Sequence, residues 1–471
     1  VLFNSLAFAL FLPVVVAVHF LLPGSWRRLW MLLSGHVFYM ALVPWYVLIL
    51  WGAILLDFGA ALGIEAAATR RGRNLWLGAS VAGTCGLLFF FKYWGWAASL
   101  AQPLAQGLHL PLPLVELALP IGLSFHTFQS LAYVIEVHRG SVPAERRLDI
   151  YALYVLFFPQ LVAGPIERPQ QLLPQLQRLP DFDASMATAG LRRMAWGFFL
   201  KVGVADRLGP VADAAFGDVG ALSTLPAWIG LTAFAAQICC DFAGYSEIAR
   251  GCAELFGIRL MRNFAMPWGS VLPSQFWRRW HISLSSWFRD YVYIPLGGNR
   301  GTLRRQTINI LITFGLSGLW HGAAGGFLVW GLLNGALVAL EHLLLPKGWK
   351  STGLGRFGGW ALTSLAILPT WAFFRATSLS DGWTYLGRLF GGVGPWSLAS
   401  AVGQLSPSRI ESSLAFFGMV GVALVHRLTQ GDPAVWIAGR PRAQRWAVYW
   451  CLGLYLLLFG ADGQRFVYFQ F

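Results

Sequence analysis

The chain has 471 residues, of which 56% are hydrophobic and 12% charged, about half the charge of an ordinary soluble domain. A soluble fold of any size needs a wettable surface, so this composition excludes one and fits a chain threaded repeatedly through a bilayer. The net charge of +14 does not mark a nucleic-acid binder, because the basic residues fall in short loops between apolar runs, the pattern of cytoplasmic loops.

Leu6 to Leu22 is the first apolar run. It lacks a basic leading region and a small-residue cleavage site, which predicts a retained span and not a signal peptide. It ends at Trp26-Arg27-Arg28, which places that turn inside and the N-terminus outside. Further spans are predicted over Leu29 to Val43, Trp45 to Ala66, Leu75 to Ser99 and Leu117 to Val137. The clusters Arg70-Arg71-Gly72-Arg73, His138-Arg139-Gly140 and Glu145-Arg146-Arg147 then all fall on the inner side. The stretch from Ala101 to Glu116 reads as an outer loop rich in Pro and Leu. Residues 148 to 215 differ: Pro159, Gly164, Pro165, Pro169 and Pro174 break the apolar blocks, and Glu167, Arg168, Arg192, Arg193 and Lys201 are interspersed. Irregular backbone at membrane depth needs protein or a watery cavity around it, so short, tilted or re-entrant helices are expected here. Spanning runs return around 305–345, 358–377, 412–428 and 446–462.

The expected fold is therefore all-α and polytopic, with about ten to twelve transmembrane helices and short helices around a central cavity. It reads as a single membrane domain over 1–471, with N-terminal spans in 1–147, a catalytic core in 148–345 and C-terminal spans in 346–471. The five cysteines show no metal-ligand spacing and read as small buried hydrophobes, so no metal site is expected.

Ionisable residues inside apolar segments are costly and so are candidates for function. The densest polar run is Phe276 to Tyr291. At helical spacing it carries an aromatic stripe of Trp277, Trp280, Leu284, Trp287 and Tyr291, and a polar stripe of Arg278, His281, Ser285 and Arg289. Such a helix suits a cavity wall or, equally, a membrane interface with Trp anchors and snorkelling Arg. A second element, Thr313 to Gly326, holds His321 among small residues. Gly318, Gly322 and Gly326 are four apart and predict a face open to close backbone approach. His321 reads as a packing residue or as a base, and its low-charge surroundings favour the neutral imidazole a base requires. No serine elbow, P-loop, dinucleotide fingerprint or zinc-protease His pair is present.

With these segments in view, the sequence resembles the membrane-bound O-acyltransferases. The resemblance is carried by Phe157-Phe158-Pro159-Gln160-Leu161-Val162-Ala163-Gly164-Pro165-Ile166, by Cys240-Asp241-Phe242-Ala243-Gly244-Tyr245-Ser246, and by the Trp277–Tyr291 run continuing to Pro295-Leu296-Gly297-Gly298-Asn299-Arg300. It is carried also by Gly318-Leu319-Trp320-His321-Gly322, while the closing Phe466-Val467-Tyr468-Phe469-Gln470-Phe471 is similar to the alginate O-acetylation branch. The resemblance implies that His321 is catalytic and that His281 is its partner. Segments such as Gly164-Pro165-Ile166-Glu167-Arg168-Pro169 are similar to the polysaccharide and cell-wall branch, which the D-alanyl transfer proteins of teichoic acid modification share in architecture.

The expected activity is O-acyl transfer, with acetyl the expected group, across the bacterial cytoplasmic (inner) membrane. The donor is a cytoplasmic thioester, acetyl-CoA or an acyl carrier protein, bound as substrate, with no resident cofactor expected. The acceptor is extracytoplasmic: a polysaccharide such as alginate or another envelope glycan, or a periplasmic partner that passes the group on. His321 would be the general base, while His281, Ser285, Trp320 or Asn334 are candidates to orient the donor or bind the oxyanion. Arg278 and Arg289 are candidates for donor phosphates, with Tyr291 beside them, and equally for surface anchors. Asp241 and Glu167 are expected to pair with Arg. The rivals are a transporter of an acylated or glycan intermediate, for which no inverted repeat is visible, and a scaffold in which His321 is dispensable.

Overall fold

The computed structural model describes residues 3–41, 43–107, 119–346, 352–392, 394, 397–405, 408–429 and 431–459. Every regular element among them is helical. The predicted closing segment Phe466–Phe471 lies outside them, as do 108–116 of the predicted outer loop and Leu117 of the fifth span. Among the described residues, six helices are long and apolar enough to cross a bilayer: Tyr46–Ala66, Arg70–Gly107, Thr224–Leu255, Gly325–Leu344, Leu354–Arg375 and Ile410–Leu428. Leu6–Leu21 is apolar but shorter. Gly24–Met40 and Leu123–Arg139, each 17 residues long, and Leu303–His321, which has two arginines and a glutamine in its first turn, are further helices of near-spanning length.

The chain divides into two compact units, Val1–Leu191 with Ala249–Met261, and Arg192–Ile248 with Arg262–Phe471. Of the stretch 148–215 expected to form short helices, only the proline-broken part does so, as Leu148–Leu156, Phe158–Leu161 and Pro169–Gln177, whereas Ala184–Phe198, Phe199–Ala205 and Asp206–Gly217 follow one another without a break in helix. Gln129 and Gln160 both donate to the Tyr154 carbonyl, at 2.6 and 2.8 Å, satisfying a last-turn carbonyl of Leu148–Leu156 that the break at Phe157 leaves without a helical partner. Asp57, buried in Tyr46–Ala66, accepts from Ser80 at 2.6 Å and Thr84 at 3.0 Å, so this carboxyl is hydrogen-bonded inside the bundle.

The basic segments of this unit converge. Arg73 donates to the His138 carbonyl at 2.6 Å, Arg28 and Arg147 lie 3.7 and 2.7 Å from Asp149, and Arg146 pairs with Glu65. Burial opposes ionisation of Asp149, but the hydrogen bond and charge of Arg147, with Arg28, hold its carboxyl below the ordinary value. Arg27 and Arg28 are the fourth and fifth residues of Gly24–Met40 and do not lie in a turn after the first span, because that helix starts at Gly24.

In the second unit, the charges expected to be buried find partners. Arg193 binds Glu247 at 2.9 Å, and Lys201 binds Asp206 at 2.6 Å and Asp241 at 2.9 Å. Asp241 thus pairs with a lysine, not the arginine expected. Its helix meets the segment around Lys201 through Gly197 and Gly244, where a Cβ on either would lie 2.7 Å from the other's carbonyl oxygen. Glu167, in the first unit, accepts the Met261 amide at 2.6 Å.

Candidate active site

The run from Phe276 to Tyr291 is not one helix. Pro273–Arg279 ends at an extended Trp280, His281 adopts φ 42° and ψ 58°, and Ile282–Phe288 begins afresh. Bonds to Asn263 hold this break. The Ile282 amide donates to the Asn263 carbonyl at 2.9 Å, and the Ser283 amide to its Oδ1 at 3.3 Å. Asn263 Nδ2 donates in turn to Ser246 Oγ at 3.0 Å. Tertiary partners capture amides that a continuous helix would have used. Left-handed backbone at a non-glycine residue costs about 1–3 kcal/mol and persists only where the surroundings over-determine it.

Thr224–Leu255 adds a second constraint, since the Phe242 ring meets the His281 ring edge to face with centroids 4.5 Å apart. Phe242 and Ser246 are one turn apart on that helix, so one face grips both the imidazole and the asparagine that shapes its turn.

His321 is the last residue of Leu303–His321, which Gly322 ends in extended conformation. The next helix, Gly325–Leu344, folds back against it. Gly318 and Gly331 allow the approach: a Cβ on Gly318 would lie 3.2 Å from the Gly331 Cα and closer still to the Phe327 carbonyl oxygen. The expected face of Gly318, Gly322 and Gly326 therefore does not exist on one helix. Gly322 instead packs under the Phe327 ring, and Gly326 against the Phe373 carbonyl.

The His321 ring is caged by Trp320, Trp330 and Phe374, with centroids 4.9, 5.0 and 5.4 Å away. Its Nδ1 lies 2.7 Å from the Ser317 carbonyl oxygen. A carbonyl only accepts, so Nδ1 carries the proton and Nε2 is the basic nitrogen of the neutral ring.

Both histidines line one cavity of about 310 Å³. At its inner end they are 1% (His281) and 5% (His321) exposed, whereas Arg278, Arg289 and His342 line it as exposed residues. His281 lies outside the helices long enough to cross a membrane, and burial, followed by the nearby His321, holds its imidazole well below the ordinary pKa. The cavity therefore joins an exposed rim with two guanidinium groups, Arg278 and Arg289, the latter paired with Asp290 at 2.7 Å, to a buried pair of imidazoles within aromatic walls.

Of the residues singled out by sequence, Arg278, His281, Ser285, Arg289 and His321 line this cavity, and so do Trp277, Trp280 and Leu284 of the predicted aromatic stripe. Ser285 donates its hydroxyl to the Trp280 carbonyl at 2.9 Å, which commits its proton to the turn. Trp320 is not a lining residue but touches both histidine rings, at 6.0 and 4.9 Å between centroids. Asn334 is fully buried away from the cavity and donates to the Trp330 carbonyl and Thr370 Oγ1 at 2.8 and 3.1 Å. Tyr291 packs on Trp287, with centroids 5.0 Å apart, and does not line it either.

Sequence reasoning missed Ser317, Asn263, Phe242, Trp330, Phe374 and His342. Ser317 was within reach, standing one helical turn before His321, and His342 is an ionisable residue ending an apolar run. Asn263 and the aromatic cage carry no local signal. Among the described residues no group of three His, Cys, Asp or Glu side chains is arranged to hold a metal ion.

The model of the membrane-bound O-acyltransferase family matches residues 148–346, which include both histidines. The chain is 36% identical to the probable alginate O-acetylase AlgI of Azotobacter vinelandii, over 88% of this chain and 82% of that protein. It is 31% identical to the peptidoglycan O-acetyltransferase of Helicobacter pylori, over 83% and 80% of the two chains. It is 30% identical to the teichoic acid D-alanyltransferase of Streptococcus thermophilus, over 48% and 58%. The chain belongs to the membrane-bound O-acyltransferase family and is a multi-pass membrane O-acyltransferase.

Proposed function

We propose that this enzyme carries an acetyl group from a cytoplasmic thioester, acetyl-CoA or an acylated carrier protein, across the bacterial cytoplasmic membrane. The group passes to a hydroxyl of a cell-envelope polysaccharide such as alginate, directly or through an extracytoplasmic partner. The observation that carries this reading is the cavity running from exposed Arg278 and Arg289 to buried His281 and His321. Acetyl is favoured over D-alanyl because the two O-acetyltransferase relatives match more than four-fifths of the chain and the D-alanyltransferase less than half.

The donor's phosphates or carrier dock at the arginine rim and its thioester reaches inward. His321 Nε2 takes the proton of the acceptor hydroxyl as its oxygen attacks the thioester carbonyl. The tetrahedral intermediate collapses to the ester, and the departing thiolate receives the proton from the imidazolium. General-base assistance of this kind contributes roughly 10²–10⁴-fold. His281 shapes the inner wall and the electrostatics beside His321. The convergence of the basic segments of the first unit supports placing them in the cytoplasm, with the N-terminus outside.

A sided vesicle assay tests the proposal. Protein is reconstituted in liposomes that hold polysaccharide acceptor and the extracytoplasmic partner inside, and labelled acetyl-CoA or acetylated carrier is added outside. Label esterified to luminal acceptor is the expected result. Hydrolysis or transfer confined to the donor side, with none in the lumen, would contradict transfer across the membrane.

A further inference from the structure

A second cleft in the Arg192–Phe471 unit, of about 510 Å³, is separate from the histidine cavity and shares no lining residue with it. Arg192 through Phe199, the helix Arg409–Leu428 with the Pro433–Ala438 turn after it, and the helix Arg442–Phe459 form its walls. Its polar side chains gather at one end. There Arg192 Nε donates to the Tyr449 hydroxyl at 2.7 Å. Thr429 is 8% exposed, and its hydroxyl has no hydrogen-bond partner although it lines the cleft. Trp436 lines the same end and carries the Arg440 guanidinium 4.0 Å above its ring.

The opposite end is lined by Phe199, Gly421, Leu452 and Tyr455, whose one polar group, the Tyr455 hydroxyl, is bonded to the Gly203 carbonyl at 2.9 Å and to Arg207, a guanidinium outside the lining that Glu411 pairs at 2.6 Å. At about 1.5 Å per residue, each wall runs roughly 9–12 Å from polar to apolar end. No carboxylate lines the cleft, and Asp432, next to it in sequence, is held by Arg193 at 3.5 Å. The neighbouring side chains of Leu428 and Val448 are exposed, as suits a surface facing acyl chains.

We infer that this cleft binds an anionic phospholipid of the bilayer, its phosphate at Arg192 and Thr429 and one acyl chain along Phe199, Leu452 and Tyr455. The pattern is amphiphilic in the order a lipid requires: cationic and hydroxyl donors at one end, a continuous apolar wall beyond. An arginine near a membrane surface favours an anionic headgroup by roughly fivefold, so Arg192 and Arg440 together predict a preference of at least about tenfold.

The test is native mass spectrometry of delipidated protein in detergent, titrated with phosphatidylglycerol and with phosphatidylcholine of identical chains. One tightly held phosphatidylglycerol per chain is expected, bound at least about tenfold tighter than phosphatidylcholine. Arg192→Gln is expected to lower that preference by roughly fivefold, and Thr429→Val to weaken binding of both lipids. Leu452→Trp, which fills the apolar end and leaves every arginine in place, is expected to reduce occupancy of both. Equal affinity for the two lipids would overturn the proposal, as would full occupancy in Leu452→Trp. Displacement of the lipid by millimolar inorganic phosphate would show an anion site alone and overturn it too.

Discussion

Replacing Asn263 with alanine removes the two side-chain bonds that hold the His281 turn, those to the Ser283 amide at 3.3 Å and to Ser246 Oγ at 3.0 Å. All three residues are buried, so water does not readily take their place. Losing the Ser246 bond costs about 0.5–1.5 kcal/mol net, and a buried amide left without its acceptor about 1–3 kcal/mol. The sum, about 1.5–4.5 kcal/mol, is comparable with or exceeds the roughly 1–3 kcal/mol by which a left-handed non-glycine residue is strained. The turn should therefore relax and carry the imidazole with it. A displacement on the order of 1 Å lowers rates by roughly 10²-fold. The assay is acyl transfer at saturating donor, alongside the thermal unfolding midpoint. We expect kcat to fall about 10²-fold with donor KM little changed. Asn263→Asp, whose carboxylate accepts from both partners, should recover part of the rate. A wild-type kcat in Asn263→Ala would refute the claim that this asparagine places His281.

Other substitutions probe other parts of the site. Gly318→Ala forces a methyl group against the Phe327 carbonyl and Gly331, and overpacking of this kind costs about 1–3 kcal/mol; an unchanged unfolding midpoint would show that the hairpin yields freely. Trp330→Ala opens a void beside His321, Trp277, Trp371 and Phe374, and should cost about 3–5 kcal/mol in denaturant unfolding, with less than about 1 kcal/mol counting against a packed cage. Arg278→Ala and Arg289→Ala should raise donor KM and flatten its dependence on salt while leaving kcat near wild type, because exposed charges act through a screened field. A wild-type donor KM indifferent to salt would remove the arginine rim from donor binding.

The fold class was legible because its signal is compositional: long apolar runs with Arg clusters between them leave few alternatives. The short helices of the middle were legible from Pro159, Pro165, Pro169 and Pro174. The His281 break was not. The helical spacing groups Arg278, His281, Ser285 and Arg289, which do line one cavity, but Trp277, Trp280 and Leu284 of the other stripe line it too, because the amides that would have continued the helix are taken by Asn263, well before them in the chain. The glycine spacing misled for a similar reason, because Gly322 ends the helix that the spacing would extend. The aromatic cage around His321 draws Trp330 and Phe374 from separate segments, and no local pattern announces such a meeting.

His321 as the general base is tested most directly by single-turnover acyl transfer from labelled donor, comparing wild type with His321→Ala and His281→Ala in nanodiscs, each matched for unfolding midpoint. Loss of roughly 10²–10⁴-fold in His321→Ala, with bound donor retained, is the predicted result. Equal turnover in wild type and His321→Ala would contradict it, and would move the chemistry to another side chain of the cavity.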